Sequence, residues 1–366
     1  MKFISGDRIF FTLVLGIMLA GLAIFSSATL GLLARESSSI SRNILLQTGL
    51  GLGLGFLALM AARAFSLAWI KRLAPYIYTL TLILTALVFV PGIGLNAGGA
   101  TRWISLGFTT VQPSEFLKIG FVLALAWWLA PRARQLTNPK KGLFPFIAIL
   151  TLPSILLFAQ PNTSTMILIL ATGAVMYFAA GAPWRDFSIL AFIAAITLGA
   201  IILARPYVLE RFKTFVDPSA NSLTSGYQIQ QSLIAIGSGG LLGRGFGQSV
   251  GKFNYLPEPD GDSVFAVFAE ETGFVGATIL LLLFVALAAR GIVIAGNSPN
   301  LFGGLIVLGF SFIIIFQAFI NICAMLGIIP LTGLPLPFIS HGGTALMTTL
   351  LMCGLILNVA AHKKSA

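Results

Sequence analysis

The sequence predicts an all-α polytopic membrane protein with about ten transmembrane helices. Hydrophobic residues make up 57% of its 366 residues, charged residues only 9%, and its mean hydropathy is +0.97. Soluble domains carry roughly 25% charged residues, so this much apolar surface requires lipid as a solvent. Within a bilayer the backbone must bond to itself, which leaves helices or a closed barrel. The apolar runs are continuous rather than alternating, which favours helices.

Ten apolar runs are long enough to be spanning helices, which need about 20 residues each. They cover approximately 9–33, 43–66, 74–92, 114–130, 143–159, 163–181, 186–204, 263–289, 303–325 and 343–361. The first run is too long, and too closely followed by others, to be a cleaved signal peptide. No stretch has the composition of a separate soluble domain, so residues 1–366 are predicted to form a single integral membrane domain.

The positions of the basic residues predict the orientation of the chain, whose net charge is +11. With the N-terminus inside, the cytoplasmic gaps hold thirteen bases: Lys2, Arg8, Arg63, Lys71, Arg72, Arg132, Arg134, Lys140, Lys141, Arg185, Arg290, Lys363 and Lys364. The short outer loops hold only Arg35, Arg42 and Arg102. This asymmetry places both termini in the cytoplasm. The bases are not interleaved with aromatic residues on one face, so nucleic acid is not an expected partner.

The longest segment between apolar runs is 205–262, which is predicted to be a large extracytoplasmic loop between helices seven and eight. A connection of this length is usually functional rather than a simple link between two helices. Within it, YQIQQSLIAIG is predicted to form a short helix at the membrane interface, and GSGGLLGRGFGQS a glycine-rich turn region. Cys323 and Cys353 lie in apolar helices, where cysteine ordinarily serves as a small buried hydrophobic residue.

Five of the eleven acidic residues lie in or beside the start of helix eight. Of the three that precede it, Glu258, Asp260 and Asp262, the last is placed to cap the helix. Alternatively, Asp262 is a partly desolvated carboxylate with a raised pKa that acts as a general base. Asp260 and Asp262 also form a D-x-D pair that suits a hard cation, although so short a motif is common. Glu270 and Glu271 lie inside the run, where acids are functional candidates unless they pair with Lys or Arg.

A second polar cluster occupies NAGGATRWISLGFTTVQPSEFLKIG, residues 96–120. Glu115 and Lys118 are three residues apart at the start of a helix, so they share a face. They can form an intrahelical ion pair, with Trp103 at the membrane interface. Alternatively, Arg102, Lys118 and the helix N-terminus can bind an anion. An outward-facing anion site in a membrane protein suggests a lipid-linked phosphate.

The third cluster is ICAMLGIIPLTGLPLPFISHGGTALM, in which Pro330, Pro335 and Pro337 prevent a continuous helix. The segment is either a plain tight connection or a broken backbone that lies against protein or a cavity at membrane depth. His341 is one of two histidines in the chain. A lone histidine is more often a hydrogen-bonded structural residue than a base or a ligand.

These motifs resemble the signatures of the SEDS family, which comprises FtsW, RodA and the sporulation relatives. The resemblance rests on GGATRWISLG with VQPSEFLK, GSGGLLGRGFGQSVGKFNYLPEPDGDSVFAVFAEETGFVGA, and GIIPLTGLPLPFISHGGTA, in the family's order and over nearly the whole chain. It implies the ten-span fold and a peptidoglycan glycosyltransferase that polymerises lipid II at the outer face of the bacterial cytoplasmic membrane. The implied leaving group is undecaprenyl diphosphate. A class B penicillin-binding protein is the implied partner. The glycine-rich stretch looks more like FtsW than RodA, which implies a role at the division septum beside other divisome proteins.

The resemblance also implies roles for particular residues. Asp262 aligns with the family's catalytic Asp, and would deprotonate the 4-hydroxyl of the acceptor sugar for attack on the donor's anomeric carbon. The resemblance places Arg102, Glu115 and Lys118 in the substrate-binding site, with Glu115 orienting Lys118. The mechanism predicted here adds Lys252, Arg211 and Ser340 as substrate-binding residues. The predicted supporting residues are Glu258, Asp260, Asn162 and Glu271. No cofactor is required by the sequence, but a divalent cation, Mg or Mn, near Asp262 and Asp260 would assist the diphosphate.

The chain departs from the family's pattern at four positions. Asn162 and Ser164 stand in QPNTST, where the family usually has an acid and a glycine. Ser263 replaces Phe after the catalytic Asp, and His341 replaces the Tyr of the last motif. None of these changes removes Asp262.

Other functions also fit parts of the sequence. A flippase for lipid-linked precursors would use intramembrane acids and broken helices. It would also need a polar path on both faces, whereas the polar clusters here concentrate on the predicted outer side. A RodA-type polymerase in elongation and a structural scaffold for the division enzymes are further alternatives. A cytoplasmic nucleotide-sugar transferase fits least, because the chain has no soluble nucleotide-binding domain.

Overall fold

The computed structural model describes residues 7–33, 46–97, 100–107, 109–204, 206–217 and 225–362. The helices are α1 Arg8–Leu33, α2 Gly55–Ala64, α3 Leu67–Ala86, α4 Pro113–Leu129, α5 Leu143–Ala159, α6 Thr163–Ala179, α7 Trp184–Ala204, α8 Pro206–Val216, α9 Ser225–Ser238, α10 Gly251–Asn254, α11 Val264–Gly296, α12 Leu301–Met325 and α13 Gly343–Ala361. A π-helical stretch, Leu46–Leu54, leads into α2, and short 3-10 turns follow α3 and α4. The strands are β1 Gly94–Ala97, β2 Ala100–Ser105 and β3 Thr110–Val111.

The ten predicted spans correspond to ten apolar helices in the described part of the chain. Seven are long and apolar enough to cross a membrane, and Gly51–Ala64, Leu143–Ala159 and Thr163–Ala179 are shorter apolar helices. The third span begins at Leu67 rather than at 74, because the Ser66 hydroxyl caps the Trp69 amide at 3.3 Å and the helix continues through Pro75. The predicted start of the second span, residues 43–45, lies outside the described residues.

The centre of the bundle is formed by α4, α12 and α13, whose side chains are largely buried. Helix α12 packs against α4, α6, α11 and α13, so its polar side chains can reach several elements at once. Helix α7, by contrast, exposes most of its surface. An exposed apolar helix suits contact with lipid, whereas the buried polar groups of α12 must be bonded within the protein.

The first span begins at the same pole of the bundle at which the last span ends. Asp7, just before α1, receives two hydrogen bonds from Arg290 of α11, at 2.8 and 2.5 Å. A small pocket there is lined by these two residues together with Val359 and Ala360 at the end of α13. The N-terminal end of α1 and the C-terminal end of α13 therefore lie on the same side, as an even number of spans requires.

The connection between α3 and α4 contains a small antiparallel sheet that the all-α prediction missed. Strand β2 pairs with both β1 and β3, and the register of β1 on β2 shifts between Leu95 and Asn96. The predicted loop 205–262 is also partly helical, since it contains α8, α9 and α10. Helix α9 confirms the short helix that was predicted from YQIQQSLIAIG, and four glycines between 240 and 247 with positive φ confirm the turn region.

The proline-rich segment between α12 and α13 is extended, and side chains bond its backbone. Its carbonyl groups accept hydrogen bonds from four side chains: Arg211 to Leu331 and Thr332, Ser164 to Thr332, Asn321 to Leu334, and Gln317 to Pro335. Non-helical backbone inside a membrane protein requires such internal partners. The segment is therefore a built element of the bundle rather than a plain connection, and it forms one wall of the site.

Candidate active site

Asp262 lies at the pole of the bundle opposite Asp7, just before helix α11. The N-cap position is held by Ser263, and no side chain caps the helix there. The capping interpretation of Asp262 is therefore wrong. The turn that precedes it is tight, because the Glu258 carbonyl accepts hydrogen bonds from the Gly261 and Ser263 amides at 3.1 and 3.2 Å. Glu258 itself adopts a left-handed conformation with φ of 48°.

The backbone of 260–262 is held at each carbonyl by a different donor. The His341 amide donates to the Asp260 carbonyl at 2.6 Å, and the Ser340 hydroxyl donates to Gly261 at 2.8 Å. The Asn321 side-chain amide donates to the Asp262 carbonyl at 3.0 Å. Three consecutive peptide groups are thus tied to the proline-rich segment and α12. This fixes the Cα position of Asp262 and leaves its carboxylate to face the site.

Replacing Ser340 with Ala is expected to lower the free energy of unfolding by about 1–3 kcal/mol, because two buried polar groups lose their partner. The Ser340 hydroxyl accepts from the Leu336 amide at 2.7 Å as well as donating to Gly261. Thermal unfolding in detergent measures the effect. Ser311→Ala is the matched control, since the Ser311 hydroxyl is buried without a hydrogen-bond partner among the described residues. Equal losses in both variants would contradict the prediction.

Arg211 of α8 and the Asp262 carboxylate flank the same glycine. A Cβ atom added to Gly333 would lie 3.4 Å from Asp262 Oδ2 and 3.8 Å from Arg211 Nη2. Gly333 has a φ of 68°, which other residues rarely adopt. The Arg211 guanidinium is oriented by hydrogen bonds to the Leu331 and Thr332 carbonyls at 3.1 and 3.3 Å. The fold therefore brings together a predicted base and a predicted cationic group that are 51 residues apart.

The pKa of Asp262 is raised to about 6. Burial is the largest cause, since desolvation disfavours the charged carboxylate, and the neighbouring charge of Glu258 raises the pKa further. Arg211 and Arg102 act in the opposite direction, because their positive charges favour the carboxylate. A carboxylate with this pKa is ionised at pH 7 and is a stronger base than an ordinary aspartate.

Arg102 lies on strand β2 and reaches the loop between α5 and α6. Its guanidinium donates to the Gln160 carbonyl at 3.3 Å and to the Pro161 carbonyl. Asn162, in the same loop, is buried and donates to the Ser114 hydroxyl at 3.3 Å. Position 162 is where the family usually has an acid. Here the neutral Asn162 side chain joins the QPNTST loop to the start of α4.

Glu115 and Lys118 form a buried ion pair on α4, as their spacing predicts. Lys118 Nζ lies 2.7 Å from Glu115 Oε2, and both side chains are at most 2% exposed. Lys118 also donates to Gln317 of α12 at 2.9 Å, while Glu115 accepts from Thr348 of α13 at 3.2 Å. Since Gln317 in turn holds the Pro335 carbonyl, the pair supports the proline-rich segment from inside the bundle.

Lys252 and Glu271 form a second buried ion pair. Lys252 Nζ is 2.7 Å from Glu271 Oε1, and the Lys252 side chain is fully buried. The Lys252 ammonium thus bonds inward to Glu271 and to the Gly247 carbonyl, whereas the sequence analysis gives it as a substrate-binding residue. Glu270 and Glu271 both pair with bases, so the structural alternative for these two intramembrane acids is the one observed.

Asp260 is buried beside His341, with 3.9 Å between Asp260 Oδ2 and His341 Nδ1. Among the described residues no group of three or more His, Cys, Asp or Glu side chains is arranged to hold a metal ion. The D-x-D pair does not provide a complete set of protein ligands. A Mg or Mn ion at Asp260 and Asp262 would take its other ligands from substrate phosphate or water.

The comparisons with known proteins agree with the motifs. The cell cycle protein family model of FtsW, RodA and SpoVE matches residues 7–365. The chain belongs to this family, the SEDS family. It is 36% identical over 352 residues to the probable peptidoglycan glycosyltransferase FtsW of Alcanivorax borkumensis, covering 94% of this chain and 90% of that one. It is 40% identical over 281 residues to stage V sporulation protein E of Bacillus subtilis, covering 77% of both chains.

Solved structures about 30% identical to this chain share its fold over the full length of both chains. A chain described under "structural coordination of polymerization and crosslinking by a peptidoglycan synthase complex" superposes with a TM-score of 0.81 at 30% identity. The rod shape determining protein RodA of Thermus thermophilus superposes with a TM-score of 0.69 at 29% identity. The ten-helix architecture is therefore that of the SEDS fold.

Sequence reasoning missed several residues that build this SEDS site. Gln317 and Asn321 of α12 hold the proline-rich segment and the Asp262 carbonyl, and Gly333 separates Asp262 from Arg211. A signal for two of them was available, since Gln317 and Asn321 are amides four residues apart in an otherwise apolar helix. Gly333 carries no such signal, because its role depends on which side chains the fold brings to it.

Proposed function

We propose that this chain is a peptidoglycan glycosyltransferase that polymerises lipid II into glycan strands at the outer face of the bacterial cytoplasmic membrane. The observation that carries this proposal is the Asp262 carboxylate, which has a pKa raised to about 6 and lies near two arginines at one pole of an apolar bundle. A base beside cationic groups at the membrane surface suits a substrate with a sugar hydroxyl and a lipid-linked diphosphate. The peptidoglycan glycosyltransferase names of the FtsW relatives support this choice of substrate.

Asp262 acts as the general base in this mechanism. Its carboxylate takes the proton of the acceptor's 4-hydroxyl as that oxygen attacks the donor's anomeric carbon. The new glycosidic C–O bond forms while the bond between the anomeric carbon and the diphosphate oxygen breaks. Undecaprenyl diphosphate leaves with the electron pair. Such proton transfer contributes roughly 10²–10⁴ in rate.

Arg211 and Arg102 stabilise the charge that develops on the leaving diphosphate. Both arginines lie close enough to Asp262 to lower its pKa, which supports placing the diphosphate beside the same carboxylate. Prearranged cations act on such charge without reorganising at the moment of reaction. Lys118 and Glu115 support the proline-rich wall, and Ser340 fixes the Asp262 turn. Lys252 belongs to the scaffold in this proposal, because its ammonium is buried against Glu271.

We assign the chain to septal wall synthesis, beside a class B penicillin-binding protein that cross-links the new strands and with other divisome proteins. The FtsW names of several relatives support the division role, and the peptidoglycan synthase complex that contains a related chain supports a synthase partner. The decisive test is polymerisation of purified lipid II in liposomes, with and without the class B partner, and with Mg or a chelator. No polymer under any condition would overturn the proposal.

The polymerisation rate is expected to fall below about pH 6, because protonated Asp262 cannot accept the proton of the acceptor hydroxyl. Since the pKa is raised, the acid limb lies at higher pH than for an ordinary aspartate. Glu258→Gln removes a negative neighbour, which stabilises the carboxylate and moves the acid limb to lower pH. Initial rates between about pH 4 and about pH 8, roughly two units to either side of about 6, measure the acid limb of wild type and of Glu258→Gln. An acid limb that Glu258→Gln leaves in place or moves upward would contradict the assignment.

A further inference from the structure

Helix α11 is broken at Gly273, the tenth of its 33 residues. Gly273 has φ of 68° and ψ of −167°, which are not helical. A Cβ atom there would overlap the Gly243 amide nitrogen and lie 2.6 Å from the Leu241 carbonyl oxygen. The break separates a short half-helix, 264–272, from the long remainder, 274–296. Asp262 precedes the short half, so the long half does not by itself fix its orientation.

The glycine-rich segment 240–245 crosses the break and replaces the missing helical hydrogen bonds. Four backbone bonds join them: Arg244 N to Glu270 O at 3.0 Å, Gly245 N to Glu271 O at 3.0 Å, Phe274 N to Gly240 O at 2.9 Å and Val275 N to Leu241 O at 3.1 Å. Each half of α11 is therefore bonded to the same short segment. This segment, rather than helical continuity, connects the half that leads from Asp262 to the membrane-spanning half.

A buried ion cluster lies beside the break and includes Lys252, Glu271 and Ser27. Lys252 Nζ donates to Glu271 Oε1 at 2.7 Å, to the Gly247 carbonyl at 2.8 Å and to the Ser27 hydroxyl at 3.0 Å. These three acceptors match the three hydrogens of the ammonium group. Ser27 belongs to α1 and also donates to Glu271, at 2.6 Å. The cluster thus joins the half-helix to α1 and to the segment that follows the glycines.

Glu270 adds a second tie from the neighbouring position. Its carboxylate accepts hydrogen bonds from the Ser249 hydroxyl at 2.6 Å and from the Val250 and Gly251 amides at 3.1 and 3.2 Å. Arg244, in the crossing segment, lies 3.4 Å from the same carboxylate. Glu270 and Glu271 therefore both bind the half-helix to the glycine-rich turn and to the residues that follow it.

We propose that Glu271 and Lys252 are positioning residues that orient the half-helix 264–272 and, through it, the Asp262 carboxylate. Glu271 lies nine residues after Asp262, which is roughly 10 Å or more along a helix at about 1.5 Å per residue. The pair therefore acts through the half-helix and not by touching the reacting atoms. A misplacement of about 1 Å can cost roughly 10²-fold in rate. This inference rests on the proposed function, in which Asp262 is the base.

The chain offers a matched control in Asp7 and Arg290. That pair also joins α1 to α11 through a buried carboxylate, but beyond the break, on the long half. Glu271→Gln is expected to lower kcat for lipid II polymerisation roughly 10–100-fold, with KM within about two-fold. Asp7→Asn is expected to leave kcat unchanged. Glu271→Gln alone leaves the Lys252 ammonium buried without its counter-charge, so it is expected to lower thermal stability. The double variant Lys252→Met/Glu271→Gln is expected to regain that stability, because no unpaired charge stays buried. It is not expected to regain kcat, because the ion pair between residues 252 and 271 is still missing.

Hydrogen exchange provides a readout that does not depend on activity. Amides of 264–272 are expected to exchange faster in Glu271→Gln than in wild type, while Asp7→Asn leaves them unchanged. The positioning role is overturned if folded Glu271→Gln keeps wild-type kcat and wild-type exchange. It is also overturned if Asp7→Asn lowers kcat and speeds the exchange of 264–272 to the same degree as Glu271→Gln. If wild type makes no polymer, the proposed function fails, and the exchange comparison still decides whether the pair orients the half-helix.

Discussion

Replacing Asp262 with Asn is expected to reduce polymerisation of lipid II by roughly 10²–10⁴, the usual contribution of a general base. Asn has nearly the same shape as Asp, but its amide cannot accept the proton of the acceptor hydroxyl. The backbone bonds that His341, Ser340 and Asn321 donate to 260–262 do not involve the replaced group. The variant is therefore expected to fold, so that the loss of rate reports chemistry.

The control for this experiment is Glu210→Gln, which removes an exposed carboxylate one residue before Arg211. It changes the net charge by the same amount as Asp262→Asn but leaves the proposed base intact, and its rate is expected to stay at the wild-type level. Thermal unfolding of all three proteins confirms that equal amounts of folded enzyme are compared. Undiminished polymer from folded Asp262→Asn would remove Asp262 from the role of base.

The outcome in which wild type is itself inactive has a separate meaning. It would direct attention to lipid flipping, since intramembrane ion pairs and a broken helix also occur in transporters. It would also make Asn162→Asp the first substitution to try, because the family usually has an acid at this position of the QPNTST loop. Asn162 donates to Ser114, and an aspartate there would accept a hydrogen bond from that hydroxyl instead.

The spans could be predicted from the sequence because each is a continuous apolar run, and lipid imposes helices on such runs. The pairing of Glu115 with Lys118 was also predictable, since three-residue spacing places two side chains on one helical face. The small sheet was not, because its strands are only four, six and two residues long. Segments that short carry too few residues for a period-two pattern to be distinguished from a loop.

Some side chains of the candidate site could be selected from the sequence, but their arrangement could not. Asp262 and Arg211 were both selected, yet their shared neighbour Gly333 comes from a segment 71 residues after Asp262. Lys252 is among the predicted substrate-binding residues. Its partner Glu271 is 19 residues away, across the glycine-rich turn, and only the fold at Gly273 brings the two together. A pair this far apart in the sequence forms no local spacing pattern, so the sequence does not predict that its members are in contact.

Replacing Lys118 with Met alone is expected to lower the free energy of unfolding by about 3–5 kcal/mol, because Glu115 then stays buried without its cation. The ion pair spans 2.7 Å, and its side chains are 1% and 2% exposed, so water does not take the place of the lost ammonium. The double variant Glu115→Gln/Lys118→Met is expected to regain most of this loss, since it leaves no buried charge. Denaturant titration in detergent measures both, and Lys213→Met, at an exposed position, is the control with little expected change.

The same variants separate a scaffold role of Lys118 from the predicted contact with the diphosphate. A lysine that holds the diphosphate would raise KM for lipid II when removed, even in a double variant that folds stably. A lysine that supports the wall of the site would leave KM near its wild-type value once stability returns. We expect the second result, because the Lys118 ammonium bonds inward to Gln317 at 2.9 Å, and Gln317 holds the Pro335 carbonyl at 2.8 Å. A raised KM in the stable double variant would return Lys118 to the substrate, and an equally unstable double variant would show that the buried charge is not the cause of the loss.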